Sequence, residues 1–193
     1  SMKKTINYNI LAISGSLRQA SFNTVLAGAL SFIAPRDFSI NMMTLHEIPH
    51  YNADDEVNRL PQSIKVFRNA ISICDGLILV SPEYNYGMPG VLKNALDWAS
   101  RPAFNSVLKG KPVLIITGSP SPSGGTRAYA QIRDTVAATL SRIVVRKQVT
   151  IGNIHKKLIE NRICDPETTQ VLQDALNDLK QEINIVRSVN CLT

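Results

Sequence analysis

The chain is poor in the features that define several large protein classes. It has three cysteines, Cys74, Cys164 and Cys191, far apart and odd in number. That excludes a disulfide framework and a clustered thiolate metal site, and it points to a reducing cytoplasm. No apolar run approaches the roughly 18 residues of a membrane-spanning helix, so no membrane association is expected. The N-terminal SMKKTINYNILAIS begins with lysines, but its apolar part is short, alternates with asparagine and lacks an A-x-A-like end. It reads as a first strand and not as a signal peptide. Neither G-x-G-x-x-G nor a phosphate-binding G-K-[ST] loop is present, and the Gly110-Lys111 pair precedes a strand pattern instead of following one. There is no G-x-S-x-G elbow, and no histidine is placed to complete a triad with the serine-rich loops, which sets serine hydrolysis aside.

Charge of one sign is also thinly spread. The formal net charge is +6 with 21 Lys and Arg, yet these residues form no run and no alternation with aromatics. A basic surface that favours anionic small molecules is expected, without a nucleic-acid partner.

One motif invites a wrong conclusion. LHEIPH, Leu45 to His50, contains a literal H-E-x-x-H, the pattern of zinc proteases. Two histidines four apart share a metal only from consecutive helical turns. Pro49 disfavours the helical conformation at Ile48 and has no N–H to donate. No third ligand is evident, and the segment follows a strand pattern. It reads as a strand-to-loop connection.

What is present is an alternation. Aliphatic and β-branched runs at 9–14, 38–45, 76–81, 112–119 and 143–151 read as buried parallel strands. Helical patterns lie between them at about 22–32, at 61–72 with proline in the first turn, from Pro89 through GVLKNALDWAS, at 126–140 and at 166–186. With 193 residues and no linker or repeat, this is one α/β domain, residues 1–193, with a doubly wound sheet and helices on both faces. Right-handed crossovers leave two common strand orders, 3-2-1-4-5 and 2-1-3-4-5. In the second, strands one, three and four are neighbours, and the loops near 15–24, 81–90 and 117–126 share one edge of the sheet.

Those loops hold the unusual residues. SGSLRQASFNT, Ser14 to Thr24, leads into a helix, where free N–H groups and the helix dipole favour an anion. Ser16, Ser21 and Thr24 add hydroxyls, Asn23 an amide, and Arg18 a forked guanidinium suited to phosphate. In SPEYNYGMPGVLKNALDWAS, Pro82, Tyr84 and Tyr86 offer a platform, with backbone amides, for a flat hydrogen-bonding ring system. TGSPSPSGGTRAY, Thr117 to Tyr129, supplies close backbone approach at Gly124-Gly125. The plainer alternatives are a capped polar loop, a loop packed on its own helix or a second subunit, and a flexible surface loop.

The three segments together resemble the NADPH-dependent FMN reductase family, and within it the bacterial chromate and quinone reductase branch of flavodoxin-like proteins. The likeness spans about residues 8 to 150. The PEYN-to-DW block is its most specific part. It implies a flavodoxin-like five-stranded parallel sheet of order 2-1-3-4-5, bound FMN, and NAD(P)H as co-substrate. Ser16, Arg18, Ser21, Asn23 and Thr24 would then hold the phosphate. Pro82, Glu83, Tyr84, Asn85 and Tyr86 would contact the isoalloxazine, with Ser119 and Gly124 completing the site. No protein residue is named as catalytic, because the chemistry resides on the flavin. The resemblance further implies ping-pong transfer from nicotinamide to flavin to a quinone-like or other small acceptor, in a homodimer or homotetramer. A Ser-Pro-Ser-Pro stretch in the third loop and the chain after Thr150 depart from the family pattern. Two rivals are a flavodoxin-like FMN electron carrier, which the basic composition disfavours, and a flavin-free regulatory or interaction module.

Overall fold

In the computed structural model, residues 6–192 are described. Three strands make the centre of the sheet: β1 (Tyr8–Ser14), β3 (Gly76–Ser81) and β4 (Pro112–Gly118), flanked by β2 (Phe38–Met43) outside β1. The order is β2-β1-β3-β4-β5 with every pairing parallel, so of the two orders open to the sequence the flavodoxin-like one is adopted. The register sets Ser14 opposite Val80 and Ser81 opposite Thr117, which brings the C-terminal ends of β1, β3 and β4 level.

Alternation along these strands divides the core in two. Ile10, Ala12, Ile78, Val80, Leu114 and Ile116 face α1 (Phe22–Ile33) and α6 (Pro166–Asn190). Leu11, Ile13, Leu77, Leu79, Val113 and Ile115 face α3 (Gln62–Ile73), α4 (Gly90–Ala99) and α5 (Thr126–Ala138). Both faces are covered, which is why these strands are apolar without interruption. Each buried Leu or Ile contributes about 2 kcal/mol of transfer free energy.

The run at 143–151 is not one strand. It forms β5 (Arg142–Ile143), beside Pro112 and Val113, and β6 (Val149–Ile151), beside Ile116 to Gly118. Between them Arg146 reaches across to Asp178 of α6, Nη1 to Oδ2 2.7 Å, and Val145 is turned out to 90% exposure. The chain leaves the ladder there, with Arg146 drawn to its carboxylate partner on α6 and Lys147 left in solvent. Two further elements lie outside the alternating pattern: α2 (Ala53–Asn58) and the hairpin of β7 (Leu158–Ile159) and β8 (Arg162–Ile163). The short α2 is capped by Asn52, whose Oδ1 accepts from the Asp54 N–H at 3.0 Å, and has three acidic residues in its first turn.

Leu45–His50 turns away from the end of β2 without forming a helix. Its shape is set by α4: the Pro49 carbonyl accepts from Asn94 Nδ2 and from the indole Nε1 of buried Trp98, both at 2.8 Å. His46 faces the other way, with Nδ1 3.0 Å from Thr44 Oγ1 and Nε2 3.1 Å from the Leu17 carbonyl.

Candidate active site

The loop after β1 is held almost wholly by its own residues. Gly15 N–H still continues the ladder to the Val80 carbonyl at 2.8 Å. Beyond it, Ser14 Oγ lies 2.7 Å from Thr24 Oγ1, Arg18 N–H donates to Ser16 Oγ at 3.2 Å, and Ser21 N–H donates to the Arg18 carbonyl at 3.1 Å. Ser21 Oγ then caps α1 by accepting from Thr24 N–H. A helix capped in this way keeps unpaired N–H groups in its first turn, with the positive end of its dipole behind them.

The loop after β3 makes a tight turn. Tyr84 and Gly87 exchange backbone hydrogen bonds of 2.9 and 3.0 Å, with Asn85 at φ 51° and Tyr86 at φ 64°. Two successive non-glycine residues in the left-handed region cost about 1–2 kcal/mol apiece, less for asparagine. Contacts to α5 offset that strain. Glu83 Oε2 accepts from the Ala128 N–H at 2.7 Å, and the Arg127 guanidinium lies 3.9 Å from the centre of the Tyr86 ring. A carboxylate at a helix N-terminus meets both an unpaired donor and a favourable dipole.

The loop after β4 is pinned to the segment following β6. Ser119 N–H donates to the Ile151 carbonyl at 3.0 Å, and Ile154 N–H returns a bond to the Ser119 carbonyl at 3.1 Å. Ser119, Ser121 and Ser123 join their hydroxyls in a chain of 2.9 and 3.1 Å contacts. Gly124, at φ 67°, gives its carbonyl to Thr117 Oγ1 at 2.7 Å, and a Cβ there would meet the backbone of Thr150 and Ile151 at 2.7 Å. The Ser-Pro-Ser-Pro stretch is therefore pinned by its backbone, although Pro120, Ser121 and Pro122 remain exposed.

Between the three loops is one hollow of about 230 Å³. Of the residues picked from sequence, Ser16, Arg18, Ser21, Asn23, Pro82, Glu83, Tyr84 and Ser119 line it. Thr24 sits behind the wall on Ser14, Gly124 lies under the third loop, and Asn85 and Tyr86 form the exposed tip of the turn, Tyr86 at 68%. Phe22, Gly118, Pro120 and Ile154 also line the hollow and were not foreseen. Phe22 was legible as the neighbour of the Ser21 cap. Ile154 comes from a 3₁₀ turn, Ile154–Lys156, far along the chain, and nothing local marks it. Hollows of about 310 Å³ beside α4 and α5, and about 400 Å³ at the opposite edge of the sheet, are larger. Neither collects the C-terminal strand ends, where ligands of open α/β sheets bind.

Two details bear on what fits. Asn23 is 3% exposed, its Nδ2 donates to the Gly118 carbonyl at 3.1 Å, and its Oδ1 has no partner. An unpaired buried acceptor in a pocket wall suits a ligand carrying hydroxyl donors. Arg18 is folded back, Nη2 donating to the Ala20 carbonyl at 2.6 Å with the guanidinium 5.3 Å from the Phe22 ring centre. Most of its five donors are left for an anion. A phosphate followed by a polyhydroxy chain, as in FMN, matches this donor set. Cysteine chemistry has no place here: Cys74 lies at the far end of the strands, and burial pushes its thiol up. Among the described residues, no helix is long and apolar enough to cross a membrane, and no cluster of three or more His, Cys, Asp or Glu side chains is placed to hold a metal ion.

Comparison with known proteins agrees with this geometry. The chain is 45% identical over 165 residues to a 2-hydroxy-1,4-benzoquinone reductase of Burkholderia sp, covering 85% of this chain and 90% of that protein. It is 36% identical over 171 residues to a quinone reductase of Escherichia coli strain K12, covering 88% and 87%. Among solved structures it is similar to FerB, a flavoenzyme NAD(P)H:(acceptor) oxidoreductase from Paracoccus denitrificans, with a TM-score of 0.84 at 27% identity over 92% of this chain and 97% of that one. Residues 8–156 match the family model described as NADPH-dependent FMN reductase. The chain belongs to the NADPH-dependent FMN reductase family and is an FMN-dependent NAD(P)H oxidoreductase.

Proposed function

We propose that residues 1–193 work as one domain that seats FMN in the three-loop hollow and passes reducing equivalents from NAD(P)H to a quinone. The single observation that carries the reading is the convergence of Arg18, Ser21, Asn23, Pro82, Glu83, Tyr84 and Ser119 on one pocket at the C-terminal ends of three adjacent strands. The quinone reductase relatives support the choice of acceptor. Chromate reduction and a homodimeric or homotetrameric state belong to the same proposal on the strength of the resemblance, and a cytoplasmic location on that of the scattered free cysteines.

The first loop and the N-terminus of α1 would hold the phosphate, with Ser16 and Ser21 as hydroxyl donors, Thr24 steadying Ser14 from behind, and Arg18 unfolding from Ala20 to close over it. Asn23 Oδ1 would accept from a hydroxyl of the ribityl chain. At about 230 Å³ the hollow is below the usual range of roughly 300–1,000 Å³ for a complete small-molecule site. It suits the tail, while the ring would lie on the open Pro82–Tyr86 turn, with Ser119 and Gly124 shaping the far wall. Bound there, FMN supplies hydride acceptance from the nicotinamide and delivery to the acceptor. The protein's part is orientation. Backbone N–H groups of the turn stabilise negative charge on a ring lying against it, and the open side admits nicotinamide and acceptor in turn.

The test is an FMN titration of the purified protein, followed by steady-state NAD(P)H oxidation with and without a benzoquinone. Saturable binding and quinone-dependent turnover are expected. Tight FMN binding without turnover would convert the protein to an electron carrier, and no flavin binding would overturn the reading.

A further inference from the structure

The residue that governs the ring-binding turn lies outside the pocket. Gln131, on the second turn of α5, is solvent-exposed. Its side-chain Oε1 accepts from the Met88 backbone N–H at 2.9 Å. The same amide lies flat on Gly87: a Cβ at Gly87 would stand 2.7 Å from Oε1 and 3.1 Å from Nε2 of Gln131. Glu83, at the other end of the turn, is tied to the Ala128 N–H one helical turn earlier. The two strained residues, Asn85 and Tyr86, are thus bracketed by contacts from one face of α5. Within the turn only the two Tyr84–Gly87 backbone bonds hold it shut. A left-handed pair persists only where its surroundings over-determine it, and on the Met88 side Gln131 supplies the fixed point.

We infer that Gln131 is a positioning residue, whose side-chain carbonyl locks the 84–87 turn in the geometry that receives the flavin ring. The inference rests on the FMN reading above. The relevant atom is an acceptor oxygen, so glutamate preserves the function and leucine of similar bulk abolishes it. Because Gln131 is exposed, its replacement leaves the core untouched and the fold intact. The effect falls on ring contacts and not on the phosphate, which the first loop holds by itself.

The experiment compares Gln131→Leu, Gln131→Ala and Gln131→Glu with the unaltered protein in two measurements. The first is amide hydrogen exchange at Met88 in flavin-free protein. Exchange about tenfold faster in the leucine and alanine variants, and restored in the glutamate variant, is expected from loss of one hydrogen bond that fixes a strained turn. The second is FMN binding with the visible absorption and circular dichroism of the bound flavin. The leucine and alanine variants are expected to bind about five- to tenfold more weakly with altered flavin bands, and the glutamate variant to match the unaltered protein within about twofold. Unchanged Met88 exchange, unaltered flavin bands, or a glutamate variant no better than leucine would each overturn the inference. Failure of the unaltered protein to bind FMN at all would instead overturn the functional reading, while Met88 exchange would still decide whether Gln131 fixes the turn.

Discussion

The first and second loops solve the same problem by opposite means. The loop after β1 is held chiefly by short-range bonds among Ser14, Ser16, Arg18, Ser21 and Thr24, with outside ties from Gly15 to Val80, from Asn23 to Gly118 and from His46 to the Leu17 carbonyl. The loop after β3 has little local support and two left-handed residues, and α5 holds it through Glu83, Tyr86 and Met88. An anion site built from backbone N–H groups and a helix cap is encoded by consecutive residues. A platform for a flat ring must instead be held at a defined angle to the pocket, and that takes leverage from another element.

The comparison breaks most easily at Arg18. Arg18→Ala should weaken FMN binding about 10- to 100-fold, the loss of charge-assisted hydrogen bonds to a phosphate, read by isothermal titration. Unchanged affinity would remove Arg18 from the anion site and leave the first loop a purely structural turn. Next comes Glu83→Ala, which strips the α5 N-terminus of its carboxylate partner. A loss of about 1–2 kcal/mol in urea unfolding is expected, whereas Ser16→Ala, which removes one hydroxyl from the self-bonded loop, should cost about 1 kcal/mol or less. Equal losses would erase the distinction between the loops.

A smaller effect is expected at a cap remote from both loops. Asp165 accepts from the Thr168 hydroxyl at 2.5 Å and from the Thr168 N–H at 3.0 Å, and these bonds hold its carboxyl below the ordinary 3.8. Its folded pKa lies below its unfolded one, so its contribution is complete above the ordinary carboxylate range and fades as pH falls through the folded value. The melting-temperature gap between the native chain and Asp165→Ala should accordingly be widest near neutral pH and narrow below about pH 4. Smallest of all is Tyr86→Gly. Glycine relieves a left-handed residue by about 1 kcal/mol, and loss of the Arg127 contact removes about 0.5–1 kcal/mol. Thermal melting of the flavin-free protein should shift by no more than a degree or two. A large destabilisation would mean that the aromatic contact holds the turn more firmly than Gln131 does.

Much of the scaffold was open to the sequence for a physical reason. Strands buried on both faces have to be apolar throughout, so 76–81 coincides with β3 and the runs at 9–14 and 112–119 lie within a residue of β1 and β4. The first loop was equally open, since its donors follow one another along the chain. The break at Arg146-Lys147 was missed because the pull comes from Asp178 on α6, a partner that no local pattern reveals. Gln131 and Ile154 escaped for the same reason: each reaches the site from a distant element. The H-E-x-x-H match shows the converse. Its histidines are real, but Asn94 and Trp98 bind Pro49 and shape the segment as a connection, with His46 steadying the first loop.

The divided fifth strand has an effect on the far wall of the pocket. Ile154 hangs from β6, which registers only against Ile116 to Gly118, while β5 is anchored independently at Pro112 and Val113. Of the five residues from Val144 to Gln148, Val144 still donates to the Val113 carbonyl and Arg146 is tied to Asp178, so the slack between the two anchors lies in the exposed Lys147 and Gln148. Lengthening or shortening that slack by a residue leaves both registers untouched, so the wall can be reshaped without re-threading the sheet. A one-residue insertion after Lys147 that melted like the parent would bear this out, and collapse of the fold would refute it.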